Sequence, residues 1–254
     1  LEILFTFLTI ILRRDKIMIK VELIRFTQDP VLAIEEAAST CYDSQPSAEG
    51  KIMNHCIKSG HTSVTEFCNF TFRISGISRA LSHQLVRHRM ASYAQRSQRY
   101  CKEDGFKFVV PPSIMKNPQA AVIYQKTMDV ITESYTKLTE LGIEPEDARM
   151  VLPNACETVI TVCMNLRSVM NFMNERLCTC AQWEIRELAK KMREAIISVA
   201  PEFEPYLVPK CEKYGKEFGM CNESKQRSCK RHPRVAVIFN GYKKYKELKA
   251  KDTE

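Results

Sequence analysis

The chain has 254 residues and a formal net charge of +8, and hydrophobic residues make up 44% of it. This length and composition are typical of one globular domain and exclude a disordered or fibrous protein. The positive charge favours anionic partners such as nucleotides, folates, nucleic acid or acidic membrane surfaces, but does not choose among them. Eleven cysteines lie in apolar segments, without a convincing secretion signal, which indicates a reducing cytoplasm.

The beginning of the chain is expected to lie outside the native fold. The run from Leu1 to Leu12 is apolar but too short to span a bilayer, and the basic residues Arg13 and Arg14 follow it, whereas a signal peptide places them first. The chain starts with Leu, and Met18 opens a strand-like segment. Residues 1–17 are therefore interpreted as upstream read-through or a mis-set start.

The first predicted elements are a strand and two helices. Alternating apolar and polar residues predict a strand over residues 17–26. An apolar stripe predicts a helix from Val31 to Cys41, after the start signal Asp29-Pro30. A second helix is predicted from Ala48 to Ser59, where Gly60 ends it.

A strand and a helix with a polar face are predicted next. The strand runs from Glu66 to Ser75, where aromatic residues alternate with polar ones. The helix runs from about Ser78 to Met90. Gln84, Arg87 and His88 stand at i, i+3 and i+4, so we expect them to share its polar face.

The second half of the chain is predicted to be mainly helical. A short apolar run is followed by a long amphipathic helix, a short helix and two further helices, over Phe106–Val110, Gln119–Leu141, Pro145–Val151, Val159–Leu177 and Ala181–Val199. No repeat, low-complexity linker or domain boundary is visible before about Pro209. The sequence therefore predicts one folded domain over residues 18–208, followed by a tail over residues 209–254.

An arginine-rich segment follows the polar helix. It holds five cationic residues, interleaved with Ser92, Gln95, Ser97 and two tyrosines: Arg87, His88, Arg89, Arg96 and Arg99. Guanidinium groups bind phosphate oxygens bidentately, serine hydroxyls add donors, and glutamine can read a base edge. A solvated basic face is the alternative. No acidic residue lies between Gln84 and Tyr100, so we expect uncompensated cations that bind an anionic ligand.

This segment resembles the signature of flavin-dependent thymidylate synthases, in which Arg-His-Arg is followed by seven residues of any kind and then Ser, commonly with Arg two further on. Three other segments resemble family landmarks in the same order: Gly60 to Phe67, Ala148 to Pro153, and Asn165 to Ile185. The resemblance covers roughly residues 18–207. It implies an α+β fold, with a mixed, largely antiparallel sheet packed with long helices in a single catalytic domain.

The resemblance also implies an activity. Family members are methyltransferases that convert dUMP to dTMP, taking a methylene group from methylenetetrahydrofolate and a hydride from FAD, which NADPH reduces. They use no cysteine nucleophile, so Cys156, which follows Pro153-Asn154-Ala155, is interpreted as core packing. A cytoplasmic homotetramer with sites built from several subunits is expected, with small-molecule substrates and without nucleic-acid or membrane partners.

Similarity assigns residues to the two ligand sites. The expected FAD-binding residues are Ser63, Arg87, His88, Arg89, Gln95, Asn165, Arg167 and Asn171. The expected dUMP-binding residues are Gln84, Arg87, Gln95, Arg96, Ser97, Gln98, Arg99, Arg149 and Arg176. Arg176 is the expected catalytic residue, because a guanidinium beside the pyrimidine lowers the cost of ionising N3 and activates C5. Ser97 is assigned to substrate positioning, since no Ser-His-acid arrangement is evident.

Helical spacing supports part of this assignment. Arg167, Asn171 and Asn174 stand at i, i+4 and i+7, on one face of the predicted helix. Satisfied buried amides are the alternative for Asn165 and Asn171. Certain relatives carry Asn and Glu where this chain has Ala94 and Gln95, so Gln95 offers base contacts but no carboxylate.

Two other functions remain as alternatives. A non-methylating flavoprotein on the same scaffold would keep the FAD residues and lose the nucleotide residues, whereas Ser97, Arg99, Arg149 and Arg176 are retained. A basic nucleic-acid-binding protein would spread its basic and aromatic side chains along a surface.

The basic tail is predicted to be solvated. It contains Cys211, Cys221, Cys229 and His232, but their spacing is loose and lacks the close cysteine pair of structural zinc sites. Cys178-Thr179-Cys180 is too tightly spaced for a ligand pair and is interpreted as packing. The sequence therefore predicts no metal site.

Overall fold

The computed structural model of the protein describes residues 19–238 together with Asn240, Gly241 and Lys243. The interpretation of residues 1–17 and the end of the basic tail lie outside these residues. Within the described part of the chain, no helix combines the length and the apolar character needed to cross a membrane.

The chain forms two compact units, each built from two separate stretches of sequence. The first unit comprises residues 19–25 and Thr71–Cys163, and the second comprises Phe26–Phe70 and the described residues from Met164 onward. Since neither unit is continuous in sequence, no linker-like composition marks a boundary between them.

Most of the predicted helices are present in the structure. They are α1 (Pro30–Tyr42), α2 (Lys51–Lys58), α3 (Arg79–Leu85), α4 (Pro112–Met115), α5 (Pro118–Glu140), α6 (Pro145–Ala148), α7 (Leu166–Arg176) and α8 (Trp183–Ile197). The predictions for α1, α2, α5, α6 and α8 are confirmed close to their bounds. Short 3-10 turns occupy Thr62–Phe67 and Arg149–Val151.

A four-stranded sheet provides the framework of the first unit. Its strands are β1 (Lys20–Phe26), β2 (Asn69–Ser78), β3 (Ser92–Gln95) and β4 (Glu157–Asn165), in the order β1-β2-β4-β3. Strands β3 and β4 are antiparallel, with Ser92 opposite Cys163 and Gln95 opposite Ile160. The α+β fold class predicted from the resemblance is confirmed.

The prediction of one helix from Val159 to Leu177 is wrong for its first half, which forms β4. The run Val159-Ile160-Thr161-Val162 is β-branched, and β4 alternates buried with half-buried residues. The apolar positions fit both a period of two and a period of 3.6, and sheet pairing decides between them. Asn165 marks the change, because its side chain accepts a hydrogen bond from the Ser168 N–H at 2.9 Å and caps α7.

Two other boundaries differ from prediction. The strand expected from Glu66 begins only at Asn69, because the residues before it form the 3-10 turn that ends at Phe67. The helix expected to reach Met90 ends at Leu85. Strand β3 was not predicted, since four residues are too few to show a period.

Each unit has its own apolar core. In the first unit, Phe106, Phe108, Met128 and Cys156 form a buried cluster. In the second unit, the rings of Phe70 and Phe203 pack edge to face with their centroids 6.2 Å apart. These cores hold the backbone from which the polar site residues project.

The C-terminal segment, residues 209–238, is folded within the second unit, although most of its basic side chains are exposed, as predicted. Cys221 and Glu212 are buried. The Cys221 N–H donates to the Pro233 carbonyl at 2.8 Å, and the Val235 N–H donates to the Cys221 carbonyl at 3.0 Å. Buried polar groups and backbone pairing are features of ordered chain rather than of a solvated charge run.

Candidate active site

The arginine-rich motif begins in a loop rather than on a helix. The N-terminus of α3 is fixed by Ser78, whose hydroxyl accepts from the Leu81 N–H at 3.0 Å. The helix ends where the Val86 N–H donates to the Ser82 carbonyl at 3.0 Å. Arg87 and His88 therefore lie beyond the helix, and the prediction that they share a helical face with Gln84 is wrong.

Tyr93 holds this loop in place. Its hydroxyl lies 2.9 Å from the Leu85 carbonyl oxygen and 2.7 Å from the His88 carbonyl oxygen, so its single proton serves both acceptors. Burial raises the pKa of Tyr93 to about 12, which keeps the hydroxyl protonated at neutral pH. Arg87 and Arg89 are exposed on the loop, and His88 is half-buried.

Gln95 uses its amide inside the protein. The Nε2 group donates to Ser82 Oγ at 2.9 Å and lies 3.2 Å from Thr158 Oγ1. The side chain thereby connects α3 to β4 through β3. Both amide hydrogens have partners, so only the carbonyl oxygen of Gln95 remains for a ligand.

Arg96 is held by a buried carboxylate. Its Nε donates to Glu103 Oε1 at 3.1 Å, and its side chain is 42% exposed, whereas that of Glu103 is 9% exposed. The hydrogen bond and charge of Glu103 raise the pKa of Arg96 above its ordinary value. A second nitrogen of Arg96 lies 3.3 Å from the Lys102 carbonyl, which leaves part of the guanidinium open to an anion.

Glu146 engages two of the expected nucleotide residues. Its carboxylate accepts from Arg99 Nε at 2.8 Å, and its backbone carbonyl accepts from Arg149 Nε at 3.0 Å. The Arg99 N–H also donates to Ser97 Oγ at 3.2 Å. The structure therefore brings Arg99 and Arg149 together at Glu146, with Ser97 bonded to the Arg99 backbone.

The expectation that the motif's cations are uncompensated is thus wrong for Arg96 and Arg99, whose acidic partners lie elsewhere in the sequence. It holds for Arg87 and Arg89, for which no ion pair is found among the described residues. Guanidinium groups that combine exposure with fixed geometry can bind phosphate oxygens without a large ordering cost.

The two remaining glutamines of the nucleotide set differ in their surroundings. Gln84 is half-buried, and its amide lies 3.4 Å from the Ala80 carbonyl, one turn back along α3. Gln98 is buried, with its amide nitrogen 3.5 Å from Cys156 Sγ. Burial makes Gln98 a support of the loop rather than a group that is presented to a ligand.

Cys156 has the surroundings of a core residue, as predicted. It is fully buried. Burial, with a smaller contribution from the negative charge of Glu103, raises the pKa of its thiol to about 12. A thiol with this pKa supplies almost no thiolate at neutral pH and is a poor nucleophile.

The second unit carries the remaining predicted residues on α7 and the 3-10 turn Thr62–Phe67. Arg167, near the start of α7, donates to Glu66 Oε1 in the turn at 2.5 Å. Ser63 is exposed on the same turn. This ion pair brings the turn to the N-terminal end of α7, where Asn165 caps the helix.

The rest of α7 presents polar groups at other positions. Asn171 is exposed, and Arg176, the last residue of the helix, is half-buried. Asn174 donates to the Val208 carbonyl at 2.8 Å, so its amide has a structural partner. The predicted common face of Arg167 and Asn171 is consistent with the observed helix bounds.

Sequence reasoning missed several residues that position these groups. Glu103 and Glu146 orient arginines, Tyr93 fixes the loop, and Ser82 and Thr158 hold Gln95. Glu103 follows Arg96 by seven residues, and Glu146 lies two residues before the landmark segment Ala148 to Pro153, but no sequence pattern marks the role of Glu146. Only the fold reveals its two contacts.

The chain resembles known proteins over most of its length. The family described as thymidylate synthase complementing protein matches residues 22–202. A protein of Clostridium tetani named flavin-dependent thymidylate synthase is 40% identical over 225 residues, which cover 78% of this chain and 90% of the relative. A protein of the same name from Geobacter sulfurreducens is 43% identical over 194 residues, covering 72% of this chain and 84% of the relative.

A solved structure shares the fold. The UMP/dUMP methylase PolB from Streptomyces cacaoi, solved with bound 5-Br dUMP, superposes with a TM-score of 0.67. The match covers 74% of this chain and 94% of that one, at 22% sequence identity. At this identity the likeness establishes the architecture alone.

Proposed function

Because the chain belongs to the family of flavin-dependent thymidylate synthases, we propose that it converts dUMP to dTMP, with methylenetetrahydrofolate as the carbon donor and NADPH as the reductant. The observation that carries the proposal is the arrangement of Arg96, Arg99 and Arg149. Their guanidinium groups are oriented by Glu103 and Glu146 while remaining partly exposed. Such preorganised cations suit the phosphate of a nucleotide.

Polar residues of the arginine-rich segment, together with Gln84, Arg149 and Arg176, are assigned to dUMP binding. Arg96, Arg99 and Arg149 bind the phosphate, together with the Ser97 hydroxyl and Arg87. Gln84 and the carbonyl oxygen of Gln95 serve the base. Gln98 supports the loop from within the protein. Fixed donors aimed at an anionic group cost little reorganisation on binding.

Arg176 acts electrostatically on the pyrimidine. A guanidinium beside the ring stabilises the negative charge that develops when N3 ionises, and this activates C5 for attack on the methylene carbon. This role is electrostatic and requires no proton transfer by Arg176. The fully buried Cys156 has no part in the reaction.

The donor set fits FAD. Arg87 and Arg89 are exposed cations with no ion pair to any acidic residue in the described part of the chain, and cations of this kind suit a pyrophosphate. His88, Ser63, Arg167, Asn171 and the Nδ2 group of Asn165 add hydrogen-bond donors, and the Gln95 carbonyl adds an acceptor. When bound and reduced by NADPH, FAD supplies the hydride that completes the methyl group.

We also propose that the protein is a homotetramer in the cytoplasm. Large apolar side chains are exposed directly beside the site motifs: Phe67, Met90, Tyr100 and Met150. Burial of these side chains against other copies would remove them from water and stabilise the assembly. All eleven cysteines lie within residues 19–238 and are free thiols, which supports a reducing compartment.

The decisive experiment combines flavin detection with product analysis. Purified protein should show a flavin absorption spectrum and form dTMP from dUMP, methylenetetrahydrofolate and NADPH. Omission of any one of these three substrates should abolish dTMP formation. Bound flavin that oxidises NADPH without forming dTMP under complete conditions would refute the synthase and indicate a non-methylating flavoprotein.

A further inference from the structure

A pocket rich in metal-binding side chains lies in the second unit, where the turn after α7 meets the C-terminal segment. Its lining includes Cys178, Cys211, Cys221, Cys229 and His232. Cys178 lies two residues after Arg176, the last residue of α7, and the other four belong to the C-terminal segment. None of these residues belongs to the proposed FAD and dUMP sites.

Two groups of ligand atoms in and around this pocket are each closely spaced. The thiols of Cys178 and Cys180 and a carboxylate oxygen of Glu223 lie within 4.8 Å of one another. The same distance encloses the Cys211 thiol, a Glu212 oxygen and a His232 ring nitrogen. Cys178 and Glu223 from the first group and Cys211 and His232 from the second line the one pocket.

Glu212 engages the histidine in the way that an outer partner of a metal ligand does. Its carboxylate is buried and lies 3.1 Å from His232 Nε2. When Nε2–H donates to this carboxylate, Nδ1 is the ring nitrogen that remains for a metal. Glu212 Oε1 also accepts from Arg231 at 3.1 Å, so its own capacity as a ligand is reduced.

The sequence spacing of these residues also favours a metal site. Cys229 and His232 are separated by two residues, which is a close pair of the kind that structural zinc sites use, although only one member is a cysteine. Cys211 lies earlier in the same segment, and Cys178 comes from the end of α7. We propose that Cys178, Cys211, Cys229 and His232 form a structural zinc site that fastens the C-terminal segment to the end of α7.

The chemistry of the four donors selects the metal. Three thiolates and one imidazole form a tetrahedral set that suits Zn²⁺, whereas magnesium and calcium require oxygen ligands. Each thiol releases its proton to solvent when its sulfur binds the ion. The three thiolates leave the complex one negative charge in excess, and Arg227, which also lines the pocket, offsets it, while Lys210 is paired with Glu223 at 2.8 Å.

The four ligands are chosen from a larger set of cysteines. Cys178 and Cys211 are half-buried and Cys229 is exposed, so these three thiols are not simply filling the core. Cys221 is buried, and its backbone pairs with Pro233 and Val235. Cys180 donates to the Arg227 carbonyl at 3.1 Å. We therefore assign Cys221 and Cys180 to packing around the site.

The first test is metal analysis of the full-length protein, purified without chelators from zinc-supplemented cells. We expect about one tightly bound zinc ion per chain. Replacement of zinc by Co²⁺ should give the absorption bands of a tetrahedral thiolate complex. Protein that contains no zinc and binds neither zinc nor cobalt on titration would overturn the proposal.

Variants test the ligand set. Cys229→Ser and His232→Ala should each lower the bound zinc severalfold, and Cys178→Ser should do the same. Cys41→Ser, at an exposed cysteine on α1, is the matched control and should keep the metal. Loss of zinc in Cys221→Ser with full retention in Cys178→Ser would show that the assignment is wrong.

A further measurement covers variants that fail to fold. A strong chelator should lower the melting temperature of the wild-type protein and of Cys41→Ser, and zinc should restore both. Mass spectrometry under non-reducing conditions should find free thiols after the metal is removed under argon. A native disulfide among Cys178, Cys211 and Cys229 would overturn the zinc site. Flavin content and dTMP formation are measured separately, so failure of the synthase proposal would leave these metal results interpretable.

Discussion

Arg96 and Glu103 form an ion pair in which the carboxylate is almost completely buried while the guanidinium is partly exposed. A buried charge requires its partner, so Glu103 fixes Arg96 in one orientation. The open part of the guanidinium then meets a ligand without first losing its side-chain freedom.

Glu103→Gln should therefore weaken dUMP binding. The amide keeps the shape but loses the charge, so the partly exposed Arg96 is held less firmly. We expect dUMP binding to weaken by about 1–2 kcal/mol, which is about a 5- to 30-fold rise in the KM for dUMP. Bound FAD should be unchanged. Glu140→Gln, at the exposed end of α5, is the control. Loss of flavin with an unaltered KM would contradict the assignment of Arg96 to dUMP.

Gln95→Ala should destabilise the protein because it removes the amide that links α3 to β4. Ser82 and Thr158 would each lose a partner, and we expect a fall of about 1–3 kcal/mol in the free energy of unfolding. Urea denaturation monitors this change, with Gln119→Ala, at an exposed position on α5, as the control. Unchanged stability of Gln95→Ala would assign the residue to the ligands alone.

Two arginines on α7 should separate flavin binding from methylation. Arg176→Ala should retain FAD yet lower dTMP formation by a factor of about 10² to 10³, because it removes charge stabilisation needed in the transition state. Arg167→Ala should weaken FAD binding by about tenfold, through loss of a charge-assisted donor. Flavin absorbance and product formation distinguish the two. The reverse pattern would show that the roles are exchanged.

Cys68 and Cys156 should resist alkylation. Burial raises the pKa of each thiol from 9.0 to about 12, so neither is ionised in the native protein at pH 8. Mass spectrometry after iodoacetamide treatment should find Cys41 modified and these two unmodified until urea is added. Rapid native modification of Cys156 would reopen its interpretation as a nucleophile.

The same two thiols make the free energy of unfolding depend on pH. The raised pKa means that the folded state holds these protons more tightly than the unfolded state does. Their contribution to stability is complete below about pH 9 and is lost as the pH rises toward about 12. Cys156→Ala should show a shallower alkaline decline of the unfolding free energy than the wild type.

The sequence predicts the helices well because a long apolar stripe with a period of 3.6 residues fits only an α-helix. α5 and α8 have such stripes, and both lie close to their expected bounds; the structure adds the side-chain caps of Asn117 and Gln182 at their N-termini. The junction of β4 and α7 could not be resolved this way, since its β-branched residues satisfy two periods. There the pairing of β4 with its neighbours decides, and pairing is a property of the fold.

The site residues were predictable as a set but not in their contacts. The motif identified Arg99 and a later segment identified Arg149, yet nothing local indicates that both meet Glu146. Arg149 lies three residues from Glu146, but Arg99 lies 47 residues from it, and only the packed structure brings Arg99 and Glu146 together.

The hydroxyl of Tyr93 has a consequence for the motif itself. Tyr93 stands opposite Val162 in the sheet, while its hydroxyl reaches back to the carbonyls of Leu85 and His88. These contacts tie both ends of the loop between α3 and β3 together, so the loop must keep a fixed length. One inserted residue before Tyr93 would turn its ring to the other face of β3 and break both hydroxyl contacts. The number of residues between Arg89 and Ser97 is therefore constrained by the fold, even at positions that accept any residue type.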